Sequence, residues 1–171
     1  MEISSLHSEN WLSFFSSTAQ VSGGLVGLVF VAMTLKPELL GAAGDVGMRT
    51  LARQTFADFL NVLLVSLLMQ VPYSATQIGG FLAVVGIVGG HRVLRGVIAV
   101  VRAAPTPHSR GPVMQRLILS LLGNAALLIA GALLLLGTTR VDIFWTLLFT
   151  GMITLILSGS RSAWLLVTHG A

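Results

Sequence analysis

The chain has 171 residues, 54% of them hydrophobic and 9% charged, with a mean hydropathy of +0.89. Soluble domains carry about 25% charged residues, so this composition excludes a water-soluble globular domain and predicts an all-α, polytopic transmembrane bundle that takes in residues 1–171 as one domain. The ten Lys and Arg residues would suggest nucleic acid in a soluble protein, but here they lie mostly in connectors and set topology. The absence of cysteine removes disulfides, thiol catalysis and Cys-ligated metal centres.

Five apolar segments are expected, at about 11–35, 51–72, 77–101, 113–137 and 143–167. Each exceeds the roughly 20 residues that cross a hydrocarbon core of about 30 Å. Backbone groups in that core must bond within their own segment, and the runs lack the alternation of barrel strands, so the segments are read as helices. The first has no basic residue before it and is too long for the apolar run of a signal peptide.

Along the first span, Ser13, Ser17, Gln20, Gly24, Gly27, Val31 and Thr34 recur in alternating steps of four and three, which puts them on one stripe. A second line, Ala19, Gly23 and Gly27, has the small-xxx-small spacing that lets helix backbones approach. The stripe is expected either to close against other helices in a tight bundle or to line a narrow polar path, with Gln20 as its constriction. The stretch "SGGLVGLVFVAMTL", within a match over about residues 21–35, resembles the first span of a group of small bacterial polytopic inner-membrane proteins of uncharacterised function, which carry a Gly-Leu-x-Phe-Val-Ala run there. The resemblance implies a bacterial inner-membrane location and brings no activity, ligand or site residue with it.

The second span carries Gln54, Asp58 and Asn61 on one helical face, with Ser66 and Gln70 beyond them. Asp58 is the one acidic residue expected clearly within a span, about one turn inside the cytoplasmic boundary. An intramembrane carboxylate is a functional candidate by default; its structural alternative is an ion pair with Arg53, Arg92 or Arg95. In the third span His91, Arg92 and Arg95 interrupt the apolar run. An arginine at the bilayer centre costs about 2.5–3.5 kcal/mol on insertion scales, so the core is expected to end near Gly90, with a helix continuing past the membrane face. Small residues also recur four apart as Gly86 and Gly90, Ala126 and Ala130, and Gly159 and Ala163.

Lys36, Arg49, Arg53, Arg92, Arg95, Arg102, Arg110, Arg116 and Arg161 fall on one side of this arrangement, and Arg140 on the other with Glu2, Glu9 and Asp142. The positive-inside rule then places the N-terminus outside and the C-terminus in the cytoplasm. The basic connector from Arg102 to Arg116 could bind anionic lipid or a cytoplasmic partner; it is expected instead to hold topology, since its arginines are spread and broken by Pro105, Pro107 and Pro112.

The histidines His7, His91, His108 and His169 have no ligand spacing, and no paired carboxylates, Ser–His–Asp set or phosphate loop is present. No enzyme, cofactor or metal is therefore expected. Three function classes remain: an oligomeric channel or small-solute transporter lined by the first span, an accessory or assembly protein that packs on partner helices, and a lipid-binding membrane protein. A full-length polar stripe beside an intramembrane carboxylate favours the first. The expected partners are the bilayer, further copies of the chain and a membrane protein, with no nucleic acid.

Overall fold

A computed structural model describes residues 9–35, 46–103, 107–137 and 140–168. They form five helices: α1 (Glu9–Leu35), α2 (Val46–Leu68), α3 (Ala75–Ala103), α4 (Pro107–Leu135) and α5 (Val141–Thr168). Each is long and apolar enough to cross a membrane, as a multi-pass membrane protein requires. Lys36, Pro105, His7 and His169 lie outside the described residues, whereas Pro107 and Pro112, expected to break the basic connector, fall within the first turns of α4.

Helix ends follow local chemistry. α2 stops at Leu68, four residues short of the expected boundary, because Gln70 and Val71 donate their backbone N–H groups three residues back and form turns ahead of Pro72, which cannot extend a helix. Ser74 and Gln77 then open α3 with a reciprocal capping box: the Ser74 N–H donates to Gln77 Oε1 at 3.0 Å and the Gln77 N–H to Ser74 Oγ at 3.3 Å. α4 begins at Pro107, a residue suited to a first helical position, where no N–H is needed. It is followed by Gly137 at φ 66°, the left-handed conformation that ends helices at glycine. α3 continues unbroken through His91, Arg92 and Arg95, all exposed.

Helices consecutive in the chain run in opposite directions. Gly79, Gly86 and Gly96 of α3 meet Gly131, Leu128 and Leu117 of α4, while Gly123 of α4 meets Gly151 and Leu155 of α5. Thr50 of α2 sits against Gly96, and Arg116 of α4 bonds the backbone of Arg161 of α5. These contacts gather Arg49, Arg53, Arg92, Arg95, Arg102, Arg116 and Arg161 at one end of the bundle. At the other end Trp11 and Phe15 of α1 stack with Trp145 and Phe149 of α5, the two indoles 4.5 Å apart, and Phe14 meets Phe149 edge-on.

α2 is the central helix and α1 a peripheral one: 67% of the α2 span is buried against 17% of the α1 span. The main apolar core, including Phe15, Val65, Met69, Leu82, Leu127, Phe144 and Leu155, fills the aromatic end. A smaller cluster of Val93, Val100 and Leu117 fills the arginine end. Between them lies a polar layer.

Candidate functional site: a buried polar layer and an outward polar face

The polar layer is built from α2, α4 and α5, with α3 closing its side. Gln54, Asp58 and Asn61 of α2 are buried, as are Ser120 and Asn124 of α4 and Ser158 of α5. Gln54 Nε2 donates to Asp58 Oδ1 at 2.8 Å and to Ser120 Oγ at 2.8 Å. Ser120 Oγ in turn donates to Asp58 Oδ1 at 2.6 Å, closing a triangle of three side chains. One turn further along, Asn61 Nδ2 donates to Asn124 Oδ1 at 3.1 Å, and Asn124 Nδ2 to the Ser120 carbonyl at 2.8 Å. Two polar rungs thus fix the register of α2 against α4. A Cβ on Gly89 of α3 would collide with the Asn124 amide and approach Asn61 Nδ2; glycine is what lets the second rung form under α3.

Asp58 is nine residues beyond Arg49 and ten short of Leu68, the ends of the apolar α2 span, and so lies near the middle of that span, five residues beyond Arg53. α2 starts at Val46, five residues ahead of the expected residue 51. The carboxylate takes its hydrogen bonds from neutral donors, and its Oδ2 is buried without a hydrogen-bond partner. Of the three arginines considered as ion-pair partners, Arg92 acts on Asp58 through space, and Ser158 also stands next to the carboxylate. Arg53, Arg92 and Arg95 are all exposed. Ser66, further along α2, is buried with an unpartnered hydroxyl, and Gln70 bonds back to the Ser66 carbonyl at 3.0 Å.

The first-span stripe has the opposite setting. Ser13, Ser17, Gln20, Gly24, Gly27, Val31 and Thr34 are all exposed. α1 meets the bundle through Phe15, Ala19, Ser22 and Val29, which are buried. A Cβ on Gly24 or Gly27 would meet nothing within 4 Å, and one on Gly23 would make ordinary contact with Leu63 at 3.9 Å. The stripe therefore does not close against the other helices of its own chain. The remaining small-residue pairs divide: Ala126 and Ala130 are buried, Gly86 and Gly159 are tightly packed, and Gly90 is open.

Sequence reasoning missed Ser120, Asn124 and Ser158. A signal was present for the first two: they are a polar pair at i, i+4 in the span with the highest hydropathy, 2.3, and such a pair shares one helix face. Among the described residues no three His, Cys, Asp or Glu side chains gather in a way that could hold a metal ion. No family model, curated protein or solved structure matches the chain.

Proposed function

We propose that the chain is a subunit of a membrane-embedded oligomer that assembles through α1, and that ions or small solutes pass along the polar face where copies meet. The observation that carries this reading is the exposure of the whole stripe from Ser13 to Thr34. Hydrocarbon solvates neither the Gln20 amide nor backbone laid bare by Gly24 and Gly27, so a lipid-facing helix has no use for them. Five helices are too few to enclose a water-filled route and still shield its lining, which makes several copies around an axis the natural form. The bundle is oriented with its arginine end in the cytoplasm, and the membrane is a bacterial inner membrane.

In this reading Asp58 belongs to the scaffold. Its bonds to Gln54 and Ser120 are internal to the chain, so it holds α2 and α4 together behind the path. A second reading, assembly with helices of a different membrane protein, is favoured by the open surface at Gly24 and Gly27, since small residues admit a partner backbone.

Ion flux through protein reconstituted in liposomes, with the oligomer defined by native mass spectrometry, tests the proposal. Gln20→Leu should change flux at least several-fold and leave the chain folded. A native oligomer that conducts nothing removes the transport reading and favours the accessory one. A monomer under all conditions removes self-assembly as well.

A further inference from the structure

Beside the polar layer and the α1 face, the molecule has a third polar feature, a cleft of about 570 Å³ at the arginine end between α4 and α5. It is lined by Gln115, Arg116, Leu119, Ser160, Arg161 and Trp164. Two of these are arginines and none is acidic. The two guanidiniums are close enough for their like charges to repel, and Arg116 is held across the seam by donating from Nη1 to the Arg161 carbonyl at 2.9 Å. One donor of five is thereby spent, and the remaining donors of the two guanidiniums have no acidic side chain among the described residues of the cleft.

The surfaces that continue from the cleft are apolar. On α4, Ile118 and Leu122 lie one turn or less from Gln115 and Leu119 on the same face, and both are exposed; on α5, Leu157 and Ile153 continue the line of Ser160 and Arg161 and are exposed too. Trp164 stands at the rim, 70% exposed, as suits an aromatic ring at the level of membrane headgroups. A cationic, hydrogen-bonding cleft opening onto two apolar tracks has the division of a phospholipid.

We propose that this cleft binds the headgroup phosphate of an anionic phospholipid between Arg116 and Arg161, with the acyl chains running over Ile118, Leu122, Ile153 and Leu157. Arginine suits the task because its planar fork matches a phosphate's oxygens. The site is separate from the α1 face and stands or falls independently of the transport reading.

The test reconstitutes the full chain in vesicles of equal parts phosphatidylglycerol and phosphatidylcholine, extracts it in mild detergent and counts retained lipid by native mass spectrometry. Retained phosphatidylglycerol should exceed phosphatidylcholine about twenty-five-fold, since each of the two arginines near an anionic headgroup is worth about fivefold. Arg161→Gln, which removes a guanidinium that bonds no other described residue, should lower the preference about fivefold, and Arg116→Gln with Arg161→Gln should abolish it. Arg92→Gln with Arg95→Gln, at the same end but on α3, should leave it within about twofold. Equal retention of the two lipids by the native chain would overturn the proposal without any variant. So would an equal loss in the α3 control, which would mean unspecific charge attraction, or displacement of the lipid by millimolar inorganic phosphate, which would assign the cleft to a free anion.

Discussion

The seam between α3 and α4 and the outer face of α1 are both rich in glycine, and they use it in opposite ways. In the seam the missing side chain is filled by another backbone: a Cβ on Gly131 would lie 2.6 Å from the Ala83 nitrogen and 2.7 Å from the Gly79 oxygen, and one on Gly86 would lie 2.7 Å from the Leu128 nitrogen. On α1 the space over Gly24 and Gly27 is empty. Lipid tails are as apolar as leucine, so helices in a bilayer associate through close packing and hydrogen bonds more than through hydrophobic burial. The seam has already used that packing to bring two helices together. The α1 face still offers it to something outside the chain.

Breaking the seam should have the largest effect. Gly131→Ala adds one methyl group where the neighbours are main-chain atoms of α3, which cannot rotate aside as a flexible side chain would. Overpacking of this kind costs about 1–3 kcal/mol, and the lack of any yielding neighbour puts the expected loss near the top of that range. Unfolding in mixed detergent and SDS micelles would measure it. A loss below about 0.5 kcal/mol would mean that α3 and α4 separate easily and that the seam is not the bundle's closest contact.

The polar layer comes next, and it tests whether the centre of the bundle is held by shape or by charge. Asp58→Ala leaves the Gln54 amide and the Ser120 hydroxyl without their shared acceptor, and one unsatisfied buried donor costs about 1–3 kcal/mol. Asp58→Asn keeps an acceptor at Oδ1 for Gln54 and Ser120 and sets its amide beside the Ser158 hydroxyl, which can accept from it, so its expected cost is smaller than that of Ala. The same unfolding experiment separates the two. If Asn is as damaging as Ala, the negative charge itself contributes, and the action of Arg92 on Asp58 through space becomes the term to examine.

The difference between these regions also marks how far the residues could be read in one dimension. Apolar run length placed all five helices, and the spacing of Gln54, Asp58 and Asn61 put them on one face, as the Gln54 to Asp58 bond requires. Boundaries moved where local bonds outweighed hydropathy, as at Met69 to Tyr73, where turns ended α2 early. The partners of the polar face stayed hidden because Ser120 and Asn124 are single polar residues a turn apart, and only the packing of α2 beside α4 shows that they complete it. The direction of the α1 stripe was hidden for a deeper reason. In water, an apolar face points inward and a polar one outward; in a bilayer both core and surroundings are apolar, so periodicity defines a face without saying what it meets.

The smallest effect on the chain itself should come from the α1 face, and that is what makes it informative. Gly27→Ala fills open space and replaces a poor helix former with the best one, a gain of about 1 kcal/mol at most, so the chain should be no less stable. Gly24→Leu together with Gly27→Leu should likewise leave the chain no less stable while placing two bulky side chains where a neighbouring backbone would approach. If copies meet along α1, native mass spectrometry should show the oligomer of this double variant falling to monomers. If it stays intact, the copies are joined elsewhere and the stripe is free of helix contacts. If the variant loses more than about 0.5 kcal/mol of stability, the face is packed against its own chain and the contrast with the α3–α4 seam fails.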